Sequence, residues 1–474
     1  MNGDRADAAA LVARAQFPDA TPRGIAGVIA RRVSSGELAP GERLPTVRDL
    51  AAVLGVSPAT VSQAWQALAR AGMIESRGRA GSFVRGGASA RGASARLAPR
   101  MRGMAAPDDP VRLDLSRGTP DPLLLPALGP ALSRVSARAE TGSYQAEPVI
   151  PALATVLADS WPSPAGSIMV VDGALDAISR TLEQLVRFGD RVVVESPGFP
   201  PFLDLLDVLG AEAVPVRLDA HGMVPEALAR ALRGRPAAVL LQPRAQNPTG
   251  ASMTAERAEA LAHVIRSAAD VDDLVVIEDD HSGLISTEGD VTLGTWLPDR
   301  VVHVRSFAKS HGPDLRIAAL GGPRDLVDRV VARRMLGPGW TSRMLQTILL
   351  DLLTDGTSID AVAEARRQYY TRQRALGDAL RARGVPVAPA DGINVWVPVL
   401  SERSALVQLA AAGIRVAAGT PFLAASDTAD AANGARTRPG GDFVRVTVGA
   451  LRDGADDVAD ALATAAQHVA VGGY

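Results

Sequence analysis

From about residue 111 onwards, short continuous apolar runs alternate with stretches of helical periodicity, and this alternation narrows the choice of fold more than any other feature. A strand that is apolar along its whole length has both faces covered, which is typical of parallel sheets flanked by helices. The pattern predicts an α/β fold with a mainly parallel central sheet and, from about residue 360, a smaller α/β subdomain with a strand near 443–448. The apolar runs are 168–171, 192–194, 239–241, 274–277, 301–304 and 317–320.

The chain has 474 residues, of which 47% are hydrophobic and 22% charged, so we expect more than one globular domain. It has no cysteine, which excludes disulfides and thiolate metal sites, and its six histidines lack the spacing of metal ligands, so we expect no metal. No apolar stretch reaches the roughly 18 residues that a membrane span needs, and Asp4, Asp7 and Asp19 are unlike a secretory signal. These features predict a cytoplasmic protein without a membrane partner.

Charge separates the N-terminal part from the remainder. Residues 1–105 hold 15 basic and 7 acidic residues, a net charge of +8, whereas the other residues hold 35 basic and 45 acidic ones, a net charge of −10. This asymmetry predicts a polyanionic partner for the N-terminal part alone. We predict an extension at 1–21, a compact helical module ending in a hairpin at 22–85, a flexible linker at 86–110 and the α/β domain at 111–474, with its small subdomain at about 360–474.

Residues 22–85 carry the signals of three short helices followed by a hairpin. Thr46 with Asp49 three residues later is a capping-box pattern, and Ser57 before Pro58 is typical of a helix start. The third helix turns small polar side chains outward, which suits a major groove, and the run 73–84 predicts a wing whose arginines contact phosphates. An ordinary helical bundle with a solvated polar face is the alternative. The candidate DNA contacts are Thr60, Ser62 and Gln63 on the helix, and Arg77 and Arg79 on the wing.

Lys309 is the only lysine of the chain; the other 49 basic residues are arginines. A compositional bias explains the arginines but not the one exception. A guanidinium group stays protonated and cannot form a Schiff base, whereas an amine can. Lys309 is therefore a candidate for covalent attachment of a carbonyl cofactor, pyridoxal 5'-phosphate (PLP).

PLP also needs a cradle for its phosphate and an acid beneath its pyridine nitrogen. Gly173 and Ala174 open a helix after a strand, and their backbone N–H groups can hold a phosphate, as can Ser306 and Arg316 on either side of Lys309. Asp279 follows an apolar run and can keep the ring nitrogen protonated.

Three further residues fit the same cofactor. Asn247 lies on a turn-rich loop and can bind the phenolic oxygen, Phe199 can stack on the ring, and His281 lies on the same side of an extended chain as Asp279. Each motif also has a plainer interpretation. Gly173 could only form a turn, Phe199 could be a core residue, and Asp279 could lie on a solvent-exposed acidic loop. The S-F-x-K segment that contains the lysine could be a chance match.

Two families share these motifs. The segment GELAPGERLPTVRDLAAVLGVSPATVSQAWQALARAGMIESRGRAGSFV resembles the GntR-type winged helix-turn-helix almost from end to end. Residues 111–474 carry the PLP motifs in the order found in fold-type I aminotransferases. The whole chain thus resembles the MocR subfamily of GntR transcription regulators.

The resemblance implies a role for each matching residue. Lys309 would form the internal aldimine, Asp279 would lie under the ring nitrogen, and Asn247 would bind the phenolic oxygen. The phosphate would be held by Ser306, Arg316 and the Gly173 and Ala174 turn, with Phe199 stacked on the ring. Arg445, in FVRVTVG, would grip a ligand carboxylate, and Tyr144 would reach the phosphate in a partner subunit of a homodimer. Arg48, Thr60 and the neighbours of Thr60, among them Ser57, Ser62 and Gln63, would contact double-stranded operator DNA.

The chain departs from the family pattern at four positions. His281 replaces the usual tyrosine, Phe199 stands where tyrosine is common, Ala308 replaces the serine before the lysine, and Pro58 replaces a frequent basic residue. An imidazole can still donate to the phenolic oxygen, but it titrates near neutrality. The three changes in the PLP module count against enzymatic turnover more than against PLP binding, and Pro58 counts against base readout at its position but not against DNA binding.

The leading hypothesis is a transcription regulator that senses an amine, an amino acid or PLP at Lys309 and thereby changes how two winged helices bind an operator of two half-sites. A catalytically active aminotransferase with an appended DNA-binding domain is the second hypothesis. A DNA-binding protein with a relic PLP fold is the third.

Overall fold

The structure is a computed structural model that describes residues 17, 20–34, 37–39, 41–70, 73–76, 81–84, 111–138, 142, 147–269, 271–424 and 441–467. The chain divides into two compact units. One comprises Met1–Met101, Val186–Val192 and Pro201–Ala213, and the other comprises Arg102–Leu185, Val193–Pro200 and Val214–Tyr474. Within the part of the chain that is described, no helix is both long enough and apolar enough to cross a membrane.

The N-terminal module has three helices and a two-stranded hairpin. Ile25, Ile29, Leu50 and Leu68 form its core, and all four are fully buried. The predicted helix starts are confirmed, because Thr46 Oγ1 accepts from the backbone N–H of Asp49 at 3.2 Å and thereby satisfies one of the donors that a helix N-terminus leaves free. The elements are α1 (Pro22–Ser34), α2 (Val47–Leu54), α3 (Pro58–Arg70), β1 (Ile74–Ser76) and β2 (Ser82–Val84), with the two strands antiparallel.

An eight-stranded sheet forms the centre of the α/β domain, in the order β4-β11-β10-β9-β8-β5-β6-β7. Strands β8, β9 and β10 are parallel, whereas β11 is antiparallel to both β10 and β4. The predicted, mainly parallel sheet is confirmed. Its strands are β4 (Ser167–Val171), β5 (Arg191–Ser196), β6 (Glu212–Asp219), β7 (Gly222–Met223), β8 (Ala238–Leu241), β9 (Val275–Asp280), β10 (Val301–Ser306) and β11 (Ala318–Gly322).

Helices cover this sheet, as its apolar strands require. Leu261 packs with Val239 and Val276 in one buried cluster, and Leu349 packs with Val170 in another. The helices are α4 (Leu128–Arg138), α5 (Pro151–Asp159), α6 (Ala174–Leu185), α7 (Pro200–Leu209), α8 (Pro225–Leu232), α9 (Ala255–Ser267), α10 (Ala308–His311), α11 (Arg324–Met335) and α12 (Arg343–Thr354).

The C-terminal subdomain packs a long helix and a terminal helix against a three-stranded sheet of order β12-β15-β14. It also includes a segment from the start of the domain, because β3 (Leu113–Asp114) pairs in parallel with β13. The two ends of the α/β domain therefore share one core. The remaining elements are α13 (Gly356–Ala382), β12 (Asn394–Val399), α14 (Glu402–Ala411), β13 (Ile414–Arg415), β14 (Ala417–Ala418), β15 (Asp442–Thr447) and α15 (Ala455–Ala466).

Candidate functional site

The only lysine lies just beyond the carboxyl end of β10, in the short helix α10. Its Nζ atom donates to the backbone carbonyl oxygen of Gly118. Desolvation and, to a smaller extent, the charge of Arg445 lower the pKa of Lys309 to about 8. A lysine with a lowered pKa holds more neutral amine near neutral pH, and the neutral amine is the form that attacks a carbonyl.

Asp279 lies on the neighbouring strand β9 and is buried. Its Oδ2 atom accepts from Gln242 Nε2 at 2.8 Å, but its Oδ1 atom, also buried, has no hydrogen-bond partner among the described residues. Burial raises the pKa of this carboxyl to about 7. An unsatisfied buried oxygen is costly, so the site favours a ligand that brings a proton donor to Oδ1.

The turn between β4 and α6 lies beside Arg316, one of the residues predicted to hold a phosphate. Gly173 has a φ of +104°, and a Cβ atom there would lie 3.1 Å from Arg316 Nη2, so the turn depends on glycine. Arg316 Nη2 also donates to the carbonyl of Asp172 at 3.4 Å. The strand register carries Ser306 towards the same place, because Ser306 is paired with Ala318, which is paired with the last residue of β4. The structure thus brings together the turn and arginine that the sequence predicts for a phosphate, with Ser306 two strands away.

Arg445 lies on β15 and is almost fully buried. Its Nη2 atom donates to the carbonyl oxygen of Ser116, its Nη1 atom donates to Asn247 Oδ1 at 3.3 Å, and its guanidinium lies 5.1 Å from the ring centre of Phe422. Burial lowers its pKa to about 10. Arg445 Nε has no partner within the described ranges, so this buried cation retains a free donor for an anion.

His281 uses its Nε2–H in a hydrogen bond to the backbone carbonyl of Ala245 at 2.8 Å, because a carbonyl oxygen can only accept. Desolvation lowers its pKa to about 4, and the charge of Lys309 adds to that shift. Near pH 7 the ring is therefore neutral and its Nδ1 atom is an acceptor. The sequence suggested that His281 donates to a phenolic oxygen, but in this arrangement its one N–H group is already used.

The other candidates fall into two groups. Phe199 lies partly buried in the turn between β5 and α7, where Gly198 N donates to the carbonyl of Phe422 at 2.8 Å, and its ring stacking stays a prediction. Tyr144, Arg77 and Arg79 lie outside the described residues.

Three residues of the site escaped sequence reasoning. Gln242 and Glu195 belong to a buried hydrogen-bonded group next to Asp279, and Gly118 supplies the carbonyl that Lys309 contacts. The position of Gln242 was a usable signal, because it directly follows the apolar run 239–241. No signal marked Gly118.

In the N-terminal module, α3 begins at Pro58, directly after Ser57. Ser57 Oγ accepts from the backbone N–H of Thr60 at 3.2 Å, and its hydroxyl lies 2.9 Å from that of Thr60. Arg48 and Gln63 are exposed, and Ser62 is partly exposed. The start of α3 therefore offers small polar groups to a ligand.

Models of two families match the chain in tandem. Residues 22–84 match the gntR family of bacterial regulatory proteins, and residues 111–462 match aminotransferase class I and II. The chain is 36% identical over 399 residues to the vitamin B6 salvage pathway transcriptional repressor PtsJ of Salmonella typhimurium, a match that covers 83% of this chain and 89% of that protein.

The chain is a MocR-type regulator of the GntR family.

Two more comparisons agree with this assignment. The pyridoxine biosynthesis transcriptional regulator PdxR of Corynebacterium glutamicum is 29% identical over 389 residues, covering 77% of this MocR-type chain and 79% of that protein. Among solved structures, the α-aminoadipate aminotransferase LysN of Thermus thermophilus, complexed with N-(5'-phosphopyridoxyl)-L-leucine, has a TM-score of 0.64 and covers 78% of this chain and 98% of that one, at 21% identity. That likeness shows the aminotransferase fold.

A MocR-type chain is a DNA-binding regulator whose aminotransferase domain takes PLP as its cofactor. The residues present fit that group. Asp279 Oδ1 lacks a buried donor that a protonated pyridine nitrogen would supply, the turn at Gly173 lies beside the guanidinium of Arg316, and Lys309 is a desolvated amine.

Proposed function

We propose that this regulator binds PLP at Lys309 and that an amine, an amino acid or PLP itself, acting there, changes its affinity for an operator. Bound PLP supplies an aldehyde that condenses with primary amines and a pyridine ring that withdraws electrons. Lys309 is the amine that holds the cofactor, and Asp279 accepts from the ring nitrogen. Asn247 contacts the phenolic oxygen, Phe199 stacks on the ring, and Ser306, Arg316 and the turn of Gly173 and Ala174 hold the phosphate.

The observation that carries the proposal is a shared contact. Lys309 donates to the carbonyl of Gly118, and Arg445 donates to the carbonyl of Ser116. The single backbone segment 116–118 therefore accepts hydrogen bonds from two cations of the site, one for the cofactor and one for a ligand carboxylate. A ligand that displaces either carbonyl oxygen from its cation releases a contact to this segment.

The 116–118 segment is closely connected to the linker. Only four residues separate the linker, which we propose at 86–110, from Leu115, which is fully buried. Gly118 has a φ of +64°, and a Cβ atom there would lie 3.2 Å from Arg445 Nη1, so the segment passes close to the guanidinium. Such a segment can have two arrangements that differ in ligand contacts, which is what coupling between two sites requires.

The test is a binding measurement on the full-length holo-protein with DNA that it selects from a random library. We expect PLP, amino acids or simple amines to change the DNA dissociation constant in the wild-type chain. They should have no effect in Lys309→Arg, which keeps the charge but cannot form a Schiff base. In Arg445→Met, amines should still act, whereas amino acids should lose most of their effect, because only they need the guanidinium. A wild-type chain whose DNA binding ignores all three ligand classes contradicts the proposal.

A second candidate function is a working aminotransferase, and the joint presence of Lys309, Asp279 and Arg445 favours it. The two functions differ in turnover. The holo-protein with an amino acid and a keto acid gives many product molecules per site if it is an enzyme. A single shift of the cofactor absorbance without turnover supports the sensor.

We further propose that the chain acts as a homodimer, with Tyr144 reaching the phosphate of the partner subunit. Exposed apolar side chains on two parts of the α/β domain support this assembly: Leu123 is 73% and Leu336 is 85% exposed, and Leu132 on α4 and Met344 on α12 are also exposed. Light scattering of the wild-type chain and of a Leu123→Glu, Leu336→Glu double variant tests it. A wild-type mass equal to one chain would exclude the dimer. Two DNA-binding modules would then contact two half-sites, direct or inverted.

A further inference from the structure

Gln242 is hydrogen-bonded to two buried carboxyl groups, to that of Asp279 through its side chain and to that of Glu195 through its backbone. Gln242 directly follows β8, which is the strand between β9, the strand of Asp279, and β5, the strand of Glu195. Gln242 Nε2 donates to Asp279 Oδ2 at 2.8 Å, and the backbone N–H of Gln242 donates to Glu195 Oε2 at 3.0 Å. Three neighbouring strands thus contribute one polar residue each to a continuous buried network.

The orientation of the Gln242 amide is fixed by its other contact. The backbone N–H of Asn247 donates to Gln242 Oε1 at 2.8 Å. An N–H group needs an acceptor, so the oxygen of the amide faces Asn247 and its NH₂ group faces Asp279. Gln242 therefore presents a donor, and never an acceptor, to Oδ2 of Asp279.

This arrangement makes the two oxygens of Asp279 different. Oδ2 is occupied by the amide, whereas Oδ1 is buried without a partner among the described residues. We propose that Gln242 is a positioning residue that commits Oδ2 of Asp279 and thereby directs Oδ1 at the pyridine nitrogen of the cofactor, with Glu195 anchoring Gln242 from behind. This inference rests on the role of Asp279 under Proposed function.

Electrostatics supports the arrangement. Burial raises the pKa of Asp279, and the hydrogen bond from Gln242 acts in the opposite direction because it favours the ionised carboxylate. Burial also raises the pKa of Glu195 to about 8, and the charge of Asp279 adds to that shift. Glu195 therefore keeps its proton when Asp279 ionises, so a second negative charge does not compete for the ring nitrogen. The other titratable groups that face Asp279 are Asp280, His303 and Lys309.

Two substitutions of similar length separate positioning from packing. Gln242→Met removes the donor and fills nearly the same space, and we expect PLP to bind about 10- to 100-fold more weakly near neutral pH. Gln242→Glu keeps the acceptor for Asn247, but its effect should depend on pH. At low pH the introduced carboxyl is protonated and can donate to Asp279, so binding should recover towards the wild-type value. At high pH it is ionised and repels Asp279, so binding should weaken steadily.

The experiment is a titration of each full-length apo-protein with PLP from about pH 5 to about pH 9, followed by absorbance, with thermal unfolding of each variant as the folding control. The inference would be overturned if both Gln242 variants bind PLP as tightly as the wild type does. It would also be overturned if both bind PLP weakly and with the same affinity at every pH. If Gln242→Met fails to fold, the pH profile of Gln242→Glu decides alone.

Asp279→Asn is the reference variant. If it binds PLP as well as the wild type does, the role of Asp279 itself is wrong. If it binds weakly while both Gln242 variants bind normally, only the role of Gln242 is wrong.

Discussion

The fully buried guanidinium of Arg334 donates at 2.9 Å to Oδ2 of Asp172, the residue directly before Gly173. Arg334 also donates to Asp176, in the first turn of α6. Two carboxylates flank the proposed anion cradle, and one arginine from α11 neutralises both. Without that arginine, the two acids would repel a phosphate held between them.

The first prediction concerns this ion pair. Arg334→Leu should lower the free energy of unfolding by about 1–3 kcal/mol, because it leaves hydrogen-bonded carboxylates without their partner but in partial contact with water. It should also weaken PLP binding. Urea unfolding and PLP titration measure the two effects. The neighbouring Arg333→Leu is the matched control, since Arg333 is half exposed and should change the free energy of unfolding by less than about 0.5 kcal/mol.

The second prediction uses the single lysine. Reduction of the holo-protein with borohydride, followed by digestion and mass spectrometry, should find the cofactor fixed to the peptide that contains Lys309. Lys309→Arg should abolish both this label and the cofactor absorbance near the visible edge, because a guanidinium cannot form a Schiff base. The same label in Lys309→Arg, on any other residue, contradicts the assignment.

The third prediction concerns pH. Because desolvation and Arg445 lower the pKa of Lys309 to about 8, the rate of PLP capture by the apo-protein should rise with pH, roughly tenfold per unit below that value, and level off above it. The neutral amine is the reactive form, so the sign is a gain with rising pH. Stopped-flow absorbance measures the rate. Arg445→Met removes a nearby positive charge and should move the midpoint upwards; a wild-type midpoint near 10 would show that the lysine is not desolvated in solution.

The fourth prediction concerns the wing. Arg77→Ala and Arg79→Ala should each weaken binding to all DNA sequences. Each should also reduce the slope of the logarithm of the association constant against the logarithm of salt concentration by the amount that about one phosphate contact contributes. Fluorescence anisotropy over a range of salt concentrations tests this. Arg217→Ala, at an exposed arginine on β6 in the other unit, is the control. An unchanged salt dependence would remove the wing from the interface.

The fifth prediction concerns α3, the third helix of the N-terminal module. Thr60 lies at the start of α3 and its backbone N–H is bound by Ser57, so Thr60→Val should change sequence preference rather than overall affinity. Selection from a random DNA library with each protein measures the preference. A variant that selects the wild-type sequence but unfolds at lower temperature would assign Thr60 a structural role only.

The sequence was sufficient for features that depend on local pattern. The apolar runs located β4, β8, β9, β10 and β11, because a strand buried on both faces is apolar along its length. The caps at Thr46 and Ser57 followed from residue type and spacing alone. The same pattern could not show that β11 is antiparallel to its neighbours, because an apolar run reads alike in either direction.

Features that depend on distant pairs were not predictable from one sequence. Arg334 was one arginine among 49, and only folding brings it to Asp172, 162 positions away. The pairing of β3 with β13 joins segments about 300 residues apart and leaves no periodic trace. Lys309 and Asp279 were recognisable because few residue types provide an amine or a carboxylate. The role of the Gln242 amide, in contrast, depends on the hydrogen-bond partners that folding brings to it.

The pairing of Leu113 with Ile414 fixes the first strand of the α/β domain to the C-terminal subdomain. β3 is the first strand of the α/β domain. It pairs with β13 in the subdomain that contains Arg445 and does not belong to the eight-stranded sheet that precedes Lys309. A displacement of that subdomain would therefore move β3, the first strand of the α/β domain, together with Arg445.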